Sequence, residues 1–345
     1  MPESKSQLDF VACPLCYYQS AMRRVKRLTD PDEEILKYGD IYGSQTTSDW
    51  KICGRCGFIH QNPRPSIQAL NTFYANSDYH QQISIPQQWQ DLQKYMKFAE
   101  WYYREKIDFA LDRMEFTQDK VFDLGFGHGG ILKMLELEGW QPAGVEPDEN
   151  LFSFAKETLG LSGIYKTIFD ESFNDESNIG LVVSNHTMEH VADLDSVMKG
   201  ISKMIRPGAY MLTVIPTYYR NRSSLSRRWM NASHYSMFNH RSLGQLSAKF
   251  GFEEVAYSYR GWWKEIDDLW YLARYTGESI AAEQFYEVPE EVEYYVNVRN
   301  PINSVLHWPV HGPHMNIVKR RIRKIGLDRA WKTTCDYLSQ RLKKR

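Results

Sequence analysis

The chain has 345 residues, 42% of them hydrophobic, and its 42 Lys and Arg against 43 Asp and Glu give a formal charge of -1. This length and apolar content support a sizeable core and leave room for roughly two domains. The charge balance excludes a global field that would recruit nucleic acid, an anionic membrane or an acidic substrate. The start, MPESKSQLDF, has no apolar h-region, and no stretch approaches the ~20 apolar residues of a membrane span, so the chain is expected to stay in the cytoplasm.

Residues 1–65 lack helical periodicity and carry four of the five cysteines, in two close pairs with Cys335 far away. The C-x2-C spacings of Cys13 with Cys16 and Cys53 with Cys56 let four thiolates reach one tetrahedral zinc ion. Such pairs suit a metal site in a reducing compartment better than a disulfide framework. Four sulfurs leave no open coordination position, so the expected zinc is structural and the module a zinc ribbon. Gly57 lets the second knuckle fold back so that backbone N–H groups face the sulfurs. His60 reads as a surface or packing residue, since the shell is already complete.

Residues 66–115 place apolar and aromatic side chains at spacings of three and four, which predicts amphipathic helices serving as a connector and lid. Over 116–276 short apolar runs alternate with helical patterns. They run KVFDLG, a helix over 130–138, QPAGVEP, a helix over 150–158, IGLVVSN, a helix over 195–205, the turn RPGA and the strand YMLTVIP. SLGQLSAKFGF then predicts a helix closed by Gly251, before strands EEVAYSYR and LWYLARY. About seven strands in this rhythm imply an α/β domain with a mostly parallel sheet. Residues 277–345 are aromatic and then basic (KRRIRK, RLKKR), and are expected to form a helical extension. The prolines and glycine within His307–His314 prevent the helical pairing that a metal-binding histidine pair would use.

The strand ending in Asp123 runs into Gly125-Phe-Gly127-His-Gly129-Gly130 and then a helix. Glycines allow a sharp turn and close approach of a ligand, and the helix N-terminus presents unpaired N–H donors. About twenty residues on, Glu146 ends the second strand, where it can accept hydrogen bonds from two ribose hydroxyls. Both features suit an adenosine nucleoside, and the glycine spacing by itself fits a dinucleotide equally well. Asp123 would repel a pyrophosphate but welcome a cationic amino group.

The order of the Asp123 loop, Glu146, the Asn185-His-Thr-Met-Glu-His190 segment and the Pro207-Gly208 turn resembles class I S-adenosylmethionine-dependent methyltransferases. With CPLC, CGRCGFIHQNPRP and FYANSDYH ahead of it, the chain over residues 10–275 is similar to bacterial methyltransferases with an N-terminal zinc-binding domain. Many of these modify sugars or other small metabolites. The resemblance implies a Rossmann-like sheet and S-adenosyl-L-methionine as cofactor. Asp123 would hold its amino group, Gly125, Gly127 and Gly129 its methionine part, Glu146 its ribose, Ile168 and Phe169 its adenine, and Asn185 would sit beside the methionine end. Asp170 is a lesser candidate for the adenine pocket, and His128 would cover the cofactor.

Methyl transfer from a sulfonium is an in-line displacement that needs positioning and a base for an oxygen or nitrogen nucleophile. His190 is either that base or a helix cap. His234 resembles a histidine that these relatives carry over the acceptor pocket, as base or acceptor ligand. His186 and His240 read as structural or rim residues, and Tyr218 and Tyr219 as stacking platforms or lid packing. The expected acceptor is a small molecule or sugar. The alternatives are an RNA methyltransferase using the ribbon and the basic tail, and a non-catalytic zinc scaffold on a degenerate fold.

Overall fold

The computed structural model describes residues 7–25, 32–42, 45–70, 85–116, 119–174, 176–218, 230–260, 268–278 and 281–297. Tyr219, residues 71–84, the His307–His314 segment, both basic runs and Cys335 lie outside them. Among the described residues no helix is long and apolar enough to cross a membrane.

The N-terminal module uses five short strands, β1 (Leu8–Asp9), β2 (Arg23–Arg24), β3 (Trp50–Ile52), β4 (Ile59–Gln61) and β5 (Arg64–Pro65). β1 pairs with β5, while β2, β3 and β4 form an antiparallel meander. Helix α1 (Leu92–Leu111) follows, its N-terminus capped by the Asp91 carboxylate, which accepts from the N–H groups of Gln93 and Lys94. One face of α1 buries Tyr95, Ala99, Ile107 and Ala110 in the same apolar cluster as Ile131 and Leu135. The stretch expected to be a connector and lid therefore also supplies a covering helix of the sheet.

The main sheet comprises β6 (Lys120–Leu124), β7 (Gln141–Val145), β8 (Ile164–Tyr165), β9 (Ile179–Asn185), β10 (Ile205–Pro216), β12 (Phe252–Arg260) and β13 (Asp268–Tyr275). Helices α2 (Gly130–Leu137), α3 (Glu149–Ser153), α4 (Leu194–Met204) and α5 (His240–Lys249) lie between these strands in sequence. The seven strands stand in the order β12-β13-β10-β9-β6-β7-β8, with β13 antiparallel to both neighbours and the pairs from β10 to β8 parallel. This is the expected Rossmann-like, mostly parallel sheet. Side chains alternate across it as the two-residue period requires. Val121, Leu181, Val183 and Leu212 join α1 and α2 on one side, whereas Phe122, Val182 and Met211 join α4 and α5 on the other.

The RPGA turn is absorbed into the start of β10 as an irregularity in register between Ile205 and Tyr210, with Gly208 at φ 79°. The helical pattern after β7 is divided into α3 and a wider π turn over Phe154–Thr158. Beyond β13, the described part of the C-terminal extension contains α6 (Pro289–Asn297).

Strand order reverses around β6, because β7 and β8 extend the sheet on one side and β9 on the other. The crevice at the carboxyl ends of β6 and β9 is the switch point where ligands bind in open α/β sheets. A strand from the domain also reaches the N-terminal module: β11 (Ser236–Met237) pairs with β4 and completes a four-stranded sheet with β3 and β2.

Candidate functional site

The turn after β6 carries three glycines in the left-handed region, of which Gly125 (φ 72°) and Gly127 (φ 55°) are the informative ones. A Cβ on Gly125 would stand 2.7 Å from Thr187 Oγ1, so glycine there lets the β9 loop close against the turn. A Cβ on Gly127 would meet nothing within 4 Å, which leaves its backbone open to a ligand. Gly129 lies at the start of α2, against Ala155 and Leu161.

Two carboxylates face this turn. Glu146 accepts the Gly127 N–H at 2.8 Å on Oε2 and the Asp148 N–H at 2.9 Å on Oε1. Asp123 is 1% exposed, and its Oδ1 accepts no hydrogen bond. Burial, reinforced by the charge of Glu146, pushes the Asp123 carboxyl up to about 8. A buried carboxyl oxygen with no donor, beside a carboxylate and an open backbone turn, fits a ligand that brings a cation with N–H donors. Tyr95 and Tyr103 of α1 press on Gly130 from the helix side. His128 packs among Trp89, Tyr95 and Phe154, with ring centroids 4.7, 6.3 and 6.0 Å away, and burial pushes its pKa down.

Of the two residues expected beside the adenine, Ile168 is 48% exposed and lines a cleft of about 440 Å³ with Tyr165, Lys166, Thr167, Asp170 and Phe173. Phe169 turns into the core between Phe122 and Phe173, at 5.5 and 5.3 Å. Asp170 accepts from the N–H and hydroxyl of Ser172 at the cleft's edge.

Asn185 closes β9, and its Oδ1 accepts from Lys106 Nζ of α1 at 3.1 Å. Lys106 is buried, lies 4.2 Å over the Tyr102 ring and stands 3.8 Å from Asp268; burial lowers its pKa. His186 adopts φ 55° and bridges Glu189 (3.5 Å) and Asp268 (3.4 Å). Burial opposes its charge, but these two carboxylates outweigh that and hold the imidazole up at about 9.

The short turn Met188–His190 sends Glu189 inward, 1% exposed, and leaves the His190 side chain 38% exposed. His190 Nδ1 lies 2.7 Å from the Ser233 carbonyl oxygen, and its ring meets that of His234 edge-on at 4.5 Å. The Glu189 backbone carbonyl accepts the Tyr235 N–H at 2.7 Å, while neither carboxylate oxygen accepts a hydrogen bond. Burial works against the Glu189 charge, but His186 and the nearby imidazoles of His190 and His234 prevail and hold it down at about 2. The structure thus brings His190 and His234 together around a glutamate that sequence reasoning passed over. Its place directly before His190 was the available signal. Lys106 and Asp268 were also missed, since neither belongs to a motif and the two lie on separate elements.

Among the described residues, His60, His240 and Tyr218 are packing groups. His240 opens α5 behind an Asn239–Ser242 capping box and stacks on Tyr257 at 4.4 Å. Tyr218 is buried, and its hydroxyl accepts from Asn239 Nδ2 at 2.8 Å. His60 is fully buried and stacks on Phe58; burial, then Arg64, pushes it down to about 4.

The sulfurs of Cys13, Cys16, Cys53 and Cys56 all lie within 4.8 Å of one another, with Cys13–Cys56 at 3.7 Å and Cys16–Cys53 at 3.5 Å. A tetrahedral shell with zinc–sulfur bonds of about 2.3 Å places its sulfurs about 3.8 Å apart. The cluster therefore fits a zinc-binding site. Arg55 N–H faces Cys53 Sγ at 3.4 Å, and Gly57, at φ 75°, returns its N–H to the Cys53 carbonyl at 3.0 Å.

Residues 94–257 match the family described as "Methyltransferase domain". The chain is 27% identical over 137 residues to a ubiquinone biosynthesis O-methyltransferase of Bartonella bacilliformis, covering 37% of this chain and 52% of that protein. It is 24% identical over 152 residues to the C-methyltransferase NovU of Streptomyces niveus, covering 43% and 35%. The chain thus spans about half the length, or less, of these relatives. Among solved structures, N-methyltransferase NodS from Bradyrhizobium japonicum WM9 superimposes with a TM-score of 0.40 and 14% identity, over 52% of this chain and 97% of that one.

Proposed function

We propose that this chain, whose residues 94–257 belong to the S-adenosylmethionine-dependent methyltransferases, methylates a small-molecule or sugar-type acceptor at the Glu189–His190–His234 cluster. The observation that carries the reading is the unpartnered, buried Asp123 Oδ1 at a glycine turn that Glu146 also faces. S-adenosylmethionine, when bound, supplies a methyl group on a positively charged sulfur. Asp123 would hold its amino group, Glu146 its ribose hydroxyls, and the open face at Gly127 its methionine part. Lys106 fixes the Asn185 amide at the rim where that part ends. The exposed edge of His190, with His234 against it, is the natural place for a proton leaving an acceptor hydroxyl or amine.

The same reading divides the chain into a zinc ribbon (1–65), a helical connector (66–115), the methyltransferase domain (116–276) and a helical extension (277–345). Zinc on the four cysteines would be structural. Support comes from the route by which the ribbon reaches the site: Gln61 N–H donates to the Tyr235 carbonyl, and Tyr235 N–H to Glu189. The ribbon would thereby hold His234 in place and form one wall of the acceptor pocket.

Calorimetry with S-adenosylhomocysteine, followed by a radiolabelled-methyl screen of sugar nucleotides, phenols, lipids and RNA, tests the reading. Binding of the nucleoside and methylation of a small acceptor are expected. No binding, or binding of NADH in its place, would refute it.

A further inference from the structure

We propose that Glu189, His190 and His234 form a second metal site, one for a divalent transition-metal ion, distinct from the four-cysteine cluster. Three observations converge on it. One oxygen of Glu189 and one ring nitrogen from each histidine lie within 4.8 Å of one another. The Glu189 carboxylate, 1% exposed, accepts no hydrogen bond of normal geometry at either oxygen, although buried carboxylates ordinarily do; it is faced by the His186 imidazole at 3.5 Å and that of His190 at 4.0 Å. The third concerns the tautomer of His190. The Ser233 carbonyl 2.7 Å from Nδ1 can only accept, so Nδ1 carries a hydrogen, and the lone pair of the neutral ring is then the one on Nε2, 4.0 Å from Glu189 Oε1. An imidazole that donates its other N–H to a carbonyl is the usual supporting arrangement of a metal-bound histidine.

Donors on a shell with bonds of about 2.1 Å stand about 3.0–3.4 Å apart, so a cation would draw these three inward by on the order of 1 Å. The His190 ring, partly exposed, can make part of that movement by turning about its Nδ1 hydrogen bond to Ser233. Two nitrogens and one carboxylate favour manganese, iron, cobalt, nickel or zinc over calcium or magnesium. Three protein ligands leave coordination positions open, as sites that bind substrate do, and the 38% exposed His190 side chain leaves this cluster accessible from solvent. An oxygen of the acceptor would take one of them. The turn carrying Glu189 and His190 starts from Thr187, which packs on Gly125, so this position adjoins the cofactor turn. In this arrangement His190 Nε2 is on the cation, which replaces its role as base: the ion lowers the pKa of a bound acceptor hydroxyl, and the proton passes to solvent water at the exposed side of His190. The site itself stands on geometry alone, whereas its place at the acceptor rests on the methyl-transfer reading.

The test is a manganese titration of the full-length, zinc-loaded protein, followed by the loss of the free Mn2+ electron paramagnetic resonance signal. Mn2+ competes poorly for thiolates, so the cysteine cluster does not contribute. The expected result is one tightly bound Mn2+ per chain, weakened more than about tenfold in Glu189→Gln and in His190→Gln and unchanged in His240→Gln. Should Glu189→Gln fail to fold, His190→Gln alters a side chain that already meets solvent and decides the matter. Absence of Mn2+, Co2+ and Ni2+ uptake by the wild type, or undiminished uptake by His190→Gln, would overturn the proposal. S-adenosylhomocysteine affinity, measured on the same samples, tells loss of the cation site apart from failure of the methyltransferase reading.

Discussion

Asp123→Asn separates two demands that fall on one carboxyl. In the ligand-free chain, burial and Glu146 raise this group from the ordinary 3.8 to about 8, whereas the unfolded chain titrates at the ordinary value. Between those limits the folded state holds a proton that the unfolded state has released. Its contribution to stability is therefore complete below about pH 4 and declines as the pH rises toward 8, by about 1.4 kcal/mol per unit. From about pH 5.5 to about 7.5 the slope removes about 3 kcal/mol, and asparagine, with no proton to lose, abolishes it. A ligand ammonium acts in the opposite sense. It favours the ionised carboxylate, so binding expels close to one proton and tightens as the pH rises toward 8. Asparagine gives up a charge-assisted bond of about 1.5–3 kcal/mol, so S-adenosylhomocysteine should bind roughly 10- to 100-fold more weakly. The assays are urea unfolding at the two pH values and calorimetry in two buffers of different ionisation enthalpy. Parallel stability slopes in wild type and variant, or unchanged affinity with no proton release in wild type, would refute the reasoning.

Gly127→Ala should lower S-adenosylhomocysteine affinity and cost about 1–2 kcal/mol of stability, because the methyl group enters the open face of the turn at φ 55°; calorimetry and urea unfolding measure both. His190→Gln should reduce kcat by about 10²-fold or more while the affinity for S-adenosylhomocysteine stays within about twofold, since His190 faces the acceptor end; steady-state kinetics and calorimetry separate the two. Stripping zinc with a chelator should loosen the ribbon and, through the Gln61–Tyr235–Glu189 hydrogen bonds, weaken acceptor binding more than cofactor binding. Full acceptor affinity in stripped but folded protein would contradict the proposed pocket wall.

The parts of the site that were legible in the sequence are those whose chemistry resides in local spacing. A C-x2-C pair brings two sulfurs together by itself, and a glycine turn after a strand constrains the backbone within six residues, so the cysteines, Gly125, Gly127 and Glu146 could be named from the chain alone. Ile168 and Phe169 show the limit. They are adjacent and both apolar, and only packing sends one to the cleft and the other to the core.

What the sequence by itself determined is the alternation of strands and helices, hence a mostly parallel α/β sheet with a glycine turn after its first strand, because hydrophobic periodicity and turn chemistry act over a few residues. Only the tertiary structure decided the partners across long separations. Lys106 meets Asn185, His186 bridges to Asp268, and His234 closes on Glu189 and His190 once β11 joins the sheet of the cysteine module. Those encounters depend on how elements dozens of residues apart stack on a common core, and no local pattern encodes that.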